Sequence, residues 1–481
     1  MRLGIAVVVV CVLGAALAVA GYALTHGEAR HPILVLPSEI VGPDPLSFDP
    51  GRTSAYERAA SFGLSHVLFA KSPGGVVAAA RRTASFRAVV EDAVKGSGID
   101  ADLVEAIVFL ESGGRPEVIA GDDPEQASGL TQILAETAND FLGMHVDLAA
   151  SRRLTRRIRD AQERGDGQAV ARLQDERRRV DERFDPAQAL AGTVRYLSEA
   201  RHEFGREDLA VVSYHMGIGN LEGVLRAYSG RPSDPIQDVV HEDDLSYARI
   251  YFDSSPVNHR EAWQRLASFG DDSQTYYWRV LAARDIMRLF REDPARLDRL
   301  AELHGRGPSA ELVLHPPRAP QRFAEPDDLE TSYQRGYLRP LPYDPARLHF
   351  RVDPRLAPTV RRLGGDPAAY RALRPRALGL LRYLAAQVYK LSKDERPLTV
   401  TRAAYDEATG AALTPPDVAK AHSSLHATGL AFDVRRRYGS GNQAAAFQWT
   451  LERLEALGLI AWTRGKSVIH ITVSPRADAR P

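Results

Sequence analysis

The spacing of apolar residues along the chain changes once, and that change divides it into two regions. Over 55–303 the apolar positions recur every three or four residues, as in amphipathic helices. Over 346–481 the strand-like runs "PLTVTRAAY" and "SVIHITVS" stand among helical segments. The pattern predicts a multidomain chain, with an all-α domain followed by a smaller α+β domain. Prolines and charges over 304–345 predict an extended linker between them.

A charged segment at about 145–184 interrupts the helical pattern. Leu154 and Ile158 lie on one apolar stripe and Leu173 and Val180 on another, with a Gly-Asp-Gly turn between them. The segment therefore predicts a protruding helical hairpin. Its many arginines could contact an anionic polymer, but the interleaved acids favour a solvated surface.

The first residues have the character of an export signal. An apolar run from Gly4 to about Leu24 predicts a signal peptide or N-terminal membrane anchor over 1–26, followed by a linker over 27–54. The expected location is the cell envelope, periplasmic or otherwise extracytoplasmic, with inner-membrane anchoring if the run is retained. Cys11, the only cysteine, excludes a disulfide framework.

The charge balance bears on partners. Lys and Arg number 62 and Asp and Glu also number 62, so the chain as a whole has no basic excess. Proteins that bind nucleic acid through its phosphates usually have such an excess. Nucleic acid is therefore not an expected partner, and the oligomeric state stays open.

The stretch "ADLVEAIVFLESGG" ends a predicted helix on a carboxylate. Counting back from Glu111 by seven, four and three residues reaches Val104, Ile107 and Val108, so the carboxylate shares a face with apolar side chains. Burial and a helix C-terminus both disfavour a negative charge. The pattern predicts a raised pKa at Glu111 and hence a proton donor.

Four motifs in this order carry a resemblance: "ESGG", "GLTQ", "AGTVRYL" and "SYHMGIGN". Together they resemble the soluble-type lytic transglycosylases, which have a goose-lysozyme-like (SLT) domain. The resemblance implies a lysozyme-like fold and cleavage of the MurNAc-GlcNAc bond of peptidoglycan. It also implies that a single glutamate, here Glu111, acts first as acid and then as base and leaves a 1,6-anhydro end.

The same resemblance implies substrate contacts. Ser112 would orient the glutamate or a substrate carbonyl, Gln132 would hydrogen-bond a sugar, and Tyr214 would position the substrate near the scissile bond. His215 stands where the family usually has Asn, and Thr131 where it usually has Met. These departures concern substrate contacts more than the chemistry.

Two other functions stay open for this half of the chain. Asp122 and Asp123 follow Glu111 on a loop and could hold a water for direct hydrolysis, as in an inverting lysozyme. A non-catalytic wall-binding scaffold is the other alternative, although a scaffold has no need of an acid on an apolar face.

A second constellation lies near the C-terminus, in "SSLHATGLAFDV" and "SVIHITV". It resembles the zinc site of D-alanyl-D-alanine carboxypeptidase-type metallopeptidases, which implies that His426, Asp433 and His470 bind zinc. Three N/O ligands with one open position are typical of a catalytic zinc. Ser467 stands where that family has its general base. The domain is thus expected to bind peptidoglycan stem peptides, with or without cleavage.

Overall fold

The computed structural model describes four stretches of the chain: 44–315, 322–342, 345–413 and 425–475. The predicted signal or anchor over 1–26 and most of the predicted linker over 27–54 lie outside them. Within these four stretches, no helix is both long enough and apolar enough to cross a membrane.

The chain is mostly helical, and a small mixed sheet occupies its C-terminal region, as the apolar spacing predicts. Helices follow one another without strands from 53 to 314, apart from isolated bridges in loops. In chain order they are α1 (Thr53–Gly63), α2 (His66–Lys71), α3 (Val76–Ala84), α4 (Arg87–Ala93), α5 (Ala101–Ser112), α6 (Leu148–Glu163), α7 (Gly167–Val180), α8 (Pro186–Phe204), α9 (Glu207–Met216), α10 (Ile218–Ser229), α11 (Ile236–Glu242), α12 (Tyr247–Asp253), α13 (Arg260–Ser268), α14 (Tyr276–Glu292), α15 (Pro294–Gly305) and α16 (Glu311–Leu314).

Helix α5 lies at the centre of the helical region because its sequence is apolar nearly all round. Asp100 caps its N-terminus by accepting a hydrogen bond from the backbone NH of Asp102. Gly113 ends the helix with a left-handed φ of 59°, which glycine adopts at little cost. Packing against α3 and α14 buries most of its side chains and fixes the position of its C-terminus.

In the charged segment, helices α6 and α7 pack against each other. Five of its side chains form a small separate apolar core: Leu154, Ile158, Ala161, Ala169 and Leu173. At its base Arg183 is fully buried, pairs with Asp181 at 2.8 Å and donates to backbone carbonyls of the loop before the hairpin. A buried cation needs such partners, and here they attach the hairpin to the loop that follows α5.

The C-terminal region places a five-stranded sheet beside two long helices. Its elements are α17 (Pro326–Gln334), β1 (Arg339–Pro340), α18 (Pro345–Leu348), β2 (Phe350–Val352), α19 (Leu356–Arg362), β3 (Ala372–Leu373), α20 (Pro375–Ser392), β4 (Leu398–Arg402), α21 (Glu407–Leu413), β5 (Ala431–Arg435), α22 (Gly441–Ala456), β6 (Ile460–Arg464) and β7 (Val468–Val473). The strand order is β2-β4-β5-β7-β6, with β2 parallel to β4 and the other pairs antiparallel.

The register of this sheet positions the C-terminal constellation. Asp433 on β5 lies directly opposite His470 on β7. Side chains alternate between the two faces of a strand, so His470 and Thr472 share one face. Ile469 and Ile471 point to the other face, where they join the core that includes α20.

The two regions share one continuous apolar core, which differs from the predicted separation by an extended linker. Helix α22 packs so closely on α1 that a Cβ at Gly63 would lie 2.1 Å from the carbonyl oxygen of Glu455. Trp449 donates to the carbonyl of Ser254 at 2.9 Å. The described residues of 304–345 include α16, α17 and β1, whereas an extended linker was predicted there.

Candidate functional site

The carboxyl group of Glu111 lies at the C-terminal end of α5, against the first turn of α14. Its Oε1 accepts a hydrogen bond from the hydroxyl of Tyr276 at 2.7 Å. Burial raises the pKa of Glu111 to about 7, although the Tyr276 hydrogen bond acts in the opposite direction. The residue keeps partial exposure to solvent. The predicted raised pKa is therefore confirmed, and near neutrality the group can both donate and accept a proton.

Aromatic rings surround this carboxyl group. Tyr214 on α9 stacks on Tyr276 with ring centroids 6.4 Å apart, and Tyr196 packs edge-on against Tyr214 at 5.2 Å. His215 stacks on the ring of Tyr276 at 5.0 Å. Tyr276 was not predicted from the sequence, because the pattern of the segment "TYYWRV" indicates only the start of an amphipathic helix. Its contact with Glu111 spans 165 positions of the chain.

Tyr214 is fixed by hydrogen bonds within the protein. Its hydroxyl donates to the carbonyl of Thr131 at 2.9 Å and lies 3.1 Å from the hydroxyl of Thr193. Burial, and then the charge of Glu111, raise the pKa of Tyr214, so the phenol is neutral at neutral pH. Through the bond to Thr131, Tyr214 joins α9 to the loop after α5. The predicted role of Tyr214 in positioning the substrate stays a prediction.

The hydroxyl of Ser112 and the amide of Gln132 also have protein partners. Ser112 is buried and donates to the carbonyl of Val108 at 3.2 Å, within its own helix. The side-chain nitrogen of Gln132 donates to the carbonyls of Val118 and Gly129 at 3.1 and 2.8 Å. Gln132 thus stabilises the loop around the carboxyl, and Ser112 the last turn of its helix. The predicted orienting role of Ser112 and the sugar contact of Gln132 stay predictions.

His215 differs from its neighbours in being exposed. Its Nδ1 lies 3.0 Å from the hydroxyl of Ser273, which begins the short 3-10 turn before α14. Although part of the residue is exposed, the protein atoms packed around the ring partly desolvate it and lower the pKa of His215, which favours the neutral imidazole. A neutral, exposed imidazole stacked on Tyr276 can present its other nitrogen to a ligand.

Asp122 and Asp123 are paired with arginines of the hairpin. Asp123 accepts from Arg152 at 2.9 Å, and Asp122 lies 3.1 Å from Arg159. The backbone NH of Glu125, and then Arg152, lower the pKa of Asp123. These ion pairs attach α6 to the loop. Arg152 and Arg159 of the hairpin are therefore used in pairing within the protein.

We expect Tyr276→Phe to change the pH profile of any acid catalysis by Glu111. The lost hydrogen bond favours the ionised carboxylate, so its removal raises the pKa of Glu111 further. Activity that needs the protonated acid should then persist to higher pH, which pH-rate profiles of both proteins would measure. Tyr277→Phe is the matched control, since the adjacent Tyr277 bonds Glu57 instead. Identical profiles for wild type and Tyr276→Phe would contradict the assignment.

The second site is a buried group at the centre of the sheet. His426, Asp433 and His470 place one ligand atom each within 4.8 Å of one another, and in the part of the chain described here they form the one such group. Asp433 Oδ1 lies 3.0 Å from His426 Nε2 and 2.8 Å from His470 Nδ1. The predicted convergence of the three residues is confirmed, and the group could hold a metal ion.

The hydrogen bonding of His426 and the three donor atoms of the group are those expected of a zinc site. His426 Nδ1 lies 2.6 Å from the carbonyl of Ala403, which selects the tautomer with a lone pair on Nε2. Two nitrogens and a carboxylate oxygen suit zinc. Zinc bonds of about 2.0–2.1 Å place tetrahedral ligand atoms somewhat more than 3 Å apart, so small shifts would accommodate the ion. The donor set therefore fits zinc.

Burial and neighbouring charged groups shift the pKa values of Asp433, His470 and His426. Burial opposes the ionisation of Asp433, but His426, His470 and then Arg402 hold its pKa well below the usual value. The Nε of Arg402 donates to Oδ2 at 2.5 Å. Burial lowers the pKa of His470, and the hydrogen bonds that its ring donates to Asp433 and Glu311 more than offset this, raising it to about 9. Burial lowers the pKa of His426. Without metal, a protonated His470 therefore bridges two carboxylates.

The carboxylate that reaches this group comes from the segment predicted as a linker. Glu311 Oε2 on α16 lies 3.2 Å from His470 Nε2. Sequence reasoning missed Glu311 because it precedes His470 by 159 positions and no local motif marks it.

Comparisons with known proteins add no identity. No family model matches the chain, and no curated protein matches it either. Function must therefore be argued from the two sites themselves.

Proposed function

We propose that the chain is a peptidoglycan lytic transglycosylase whose single acid and base is Glu111. The main support for the proposal is the pKa of about 7 of the Glu111 carboxyl group, which lies at the end of α5 beside the rings of Tyr214, His215 and Tyr276. General acid catalysis is most effective when the pKa lies near the working pH. The motif order around Glu111 supports peptidoglycan as the substrate class.

The proposed reaction moves one proton twice. Protonated Glu111 donates its proton to the glycosidic oxygen as the bond from C1 of N-acetylmuramic acid breaks. The resulting carboxylate then takes the proton of the C6 hydroxyl, whose oxygen bonds to C1 and closes the 1,6-anhydro ring. Asp122 and Asp123 are held by Arg152 and Arg159, which favours this one-carboxylate route over water attack guided by a second acid.

The products of purified sacculi test this proposal. Mass spectrometry should find muropeptides lighter than the hydrolysis products by one water, because no water enters the anhydro end. Reducing ends instead would favour the lysozyme-type alternative. Binding to sacculi with no released product would favour the wall-binding scaffold.

The second candidate function belongs to the His426–Asp433–His470 group, whose donor set favours zinc. We propose that this region binds stem peptides through the metal, with cleavage limited by the serine at position 467. Bound zinc would polarise an amide and lower the pKa of its water ligand. Together with the N-terminal apolar run, these assignments support the proposal of a location in the cell envelope, with glycan strands and stem peptides as partners.

We expect Ser467→Glu to increase stem-peptide cleavage above that of the wild type. Ser467 lines a cavity of about 400 Å³ together with Arg402, the residue that pairs with Asp433, so a longer side chain has space at this position. A carboxylate there can accept and deliver protons, a role that serine cannot fill at neutral pH. Release of free D-alanine from a synthetic stem peptide measures the effect, with Ser467→Gln as the control. Brisk cleavage by the wild type would contradict the impaired-base interpretation.

A further inference from the structure

Glu311 stands out because it is a buried carboxylate from outside the predicted α+β domain. It begins α16, whose residues contact β6, and it is almost completely buried. Its Oε2 lies 3.2 Å from His470 Nε2 and also 3.2 Å from the hydroxyl of Thr472. Burying a carboxylate is costly unless cations or hydrogen-bond donors compensate, so this placement calls for an explanation.

The two nitrogens of His470 face different partners. Nδ1 lies 2.8 Å from Asp433 Oδ1, the same oxygen that lies 3.0 Å from His426 Nε2. Nδ1 is therefore the nitrogen that faces the ion position. Nε2 is on the other side of the ring, where Glu311 Oε2 and the hydroxyl of Thr472 each lie 3.2 Å from it.

This arrangement is the one that supports zinc-binding histidines in general. A ligating imidazole usually donates its second NH to a carboxylate, a backbone carbonyl or a water, which fixes the ring and makes the ligand more basic. His426 has the carbonyl of Ala403 in this role. Glu311 supplies the corresponding acceptor for His470.

The local charge balance favours the same role. Asp433 already pairs with Arg402, so its negative charge is offset before any ion binds. Zinc would add two positive charges to this buried group, and Glu311 provides the second negative charge near it. Charges buried together are tolerated when they compensate one another.

On the premise of the proposed zinc site, we propose that Glu311 is a positioning residue for the metal ligand His470. It accepts the Nε2 proton, orients the ring and raises the metal affinity. Since α16 follows directly after the helical region, metal binding also depends on the packing of that region against the sheet.

Zinc affinity of the full chain tests the proposal. Glu311→Ala should weaken zinc binding about ten- to hundredfold in competition with a chromophoric chelator, the range typical for loss of such a partner. Glu311→Gln keeps a neutral acceptor and nearly the same shape, so it should recover part of the affinity. Glu302→Ala, which removes an exposed glutamate of α15, is the matched control and should bind as tightly as wild type.

A spectroscopic readout separates positioning from a general loss of structure. In the zinc-loaded wild type, the Nε2 proton of His470 should resonate far downfield because it is hydrogen-bonded to a carboxylate. The signal should move upfield in Glu311→Gln, which keeps the side-chain volume. An unmoved signal, or equal or tighter zinc binding by Glu311→Ala, would overturn the proposal. A wild type that binds no zinc at all would instead refute the metal site on which it rests.

Discussion

Glu111→Gln should lower the release of 1,6-anhydromuropeptides from sacculi by at least about a hundredfold, the usual contribution of a general acid. The substitution keeps the shape of the side chain and an acceptor for Tyr276, but it removes the transferable proton. Initial rates of muropeptide release measure the effect. Glu57→Gln is the matched control, since Glu57 is also partly buried and accepts from a tyrosine, Tyr277, at 3.0 Å. Wild-type rates from Glu111→Gln would refute the assignment of Glu111.

The pH dependence of stability tests whether Glu111→Gln is still folded, so that a loss of activity can be assigned to the missing proton. The pKa of Glu111 is raised from 4.5 to about 7, so the folded state favours the protonated form. Its contribution is fully present below pH 4.5 and is lost as the pH rises through 7. Glutamine does not ionise, so Glu111→Gln should lose less stability than wild type over this window. Thermal unfolding at pH 5 and pH 8 measures the difference.

His470→Ala should abolish zinc binding by the full chain, which we expect to hold about one zinc in the wild type. It removes one of three ligands and leaves Asp433 and Glu311 without the imidazole between them. Metal analysis after dialysis measures the loss, and His202→Ala, at an exposed helical histidine, is the control. Equal zinc content in both variants would contradict the ligand assignment.

Zinc should also stabilise the folded wild type. An ion that binds only the folded state adds about 2.7 kcal/mol when its free concentration is a hundred times its Kd. A chelator should therefore lower the melting temperature of the wild type and leave that of His470→Ala unchanged. A wild type that melts at the same temperature with and without chelator would count against a metal bound to the folded state.

Much of the fold follows from local patterns. The three- and four-residue apolar spacing predicts the helices, and the stripes of α6 and α7 predict their hairpin. These elements depend on contacts between near neighbours in the chain, which a sequence displays directly. Helix geometry predicts the apolar face on which Glu111 lies. A sequence motif predicts the convergence of His426, Asp433 and His470.

Only the tertiary structure decided which distant groups complete the two sites. Tyr276 reaches Glu111, and Glu311 reaches His470, across 165 and 159 positions of the chain. It also decided that α22 packs on α1, so that two regions with separate patterns share one core. Periodicity specifies which face of an element is buried, but not which partner covers it, because many apolar faces are compatible with one another. The sequence therefore determined the elements, the glutamate on an apolar helix face and the three residues of the buried group, whereas the packing determined the partners that contact them.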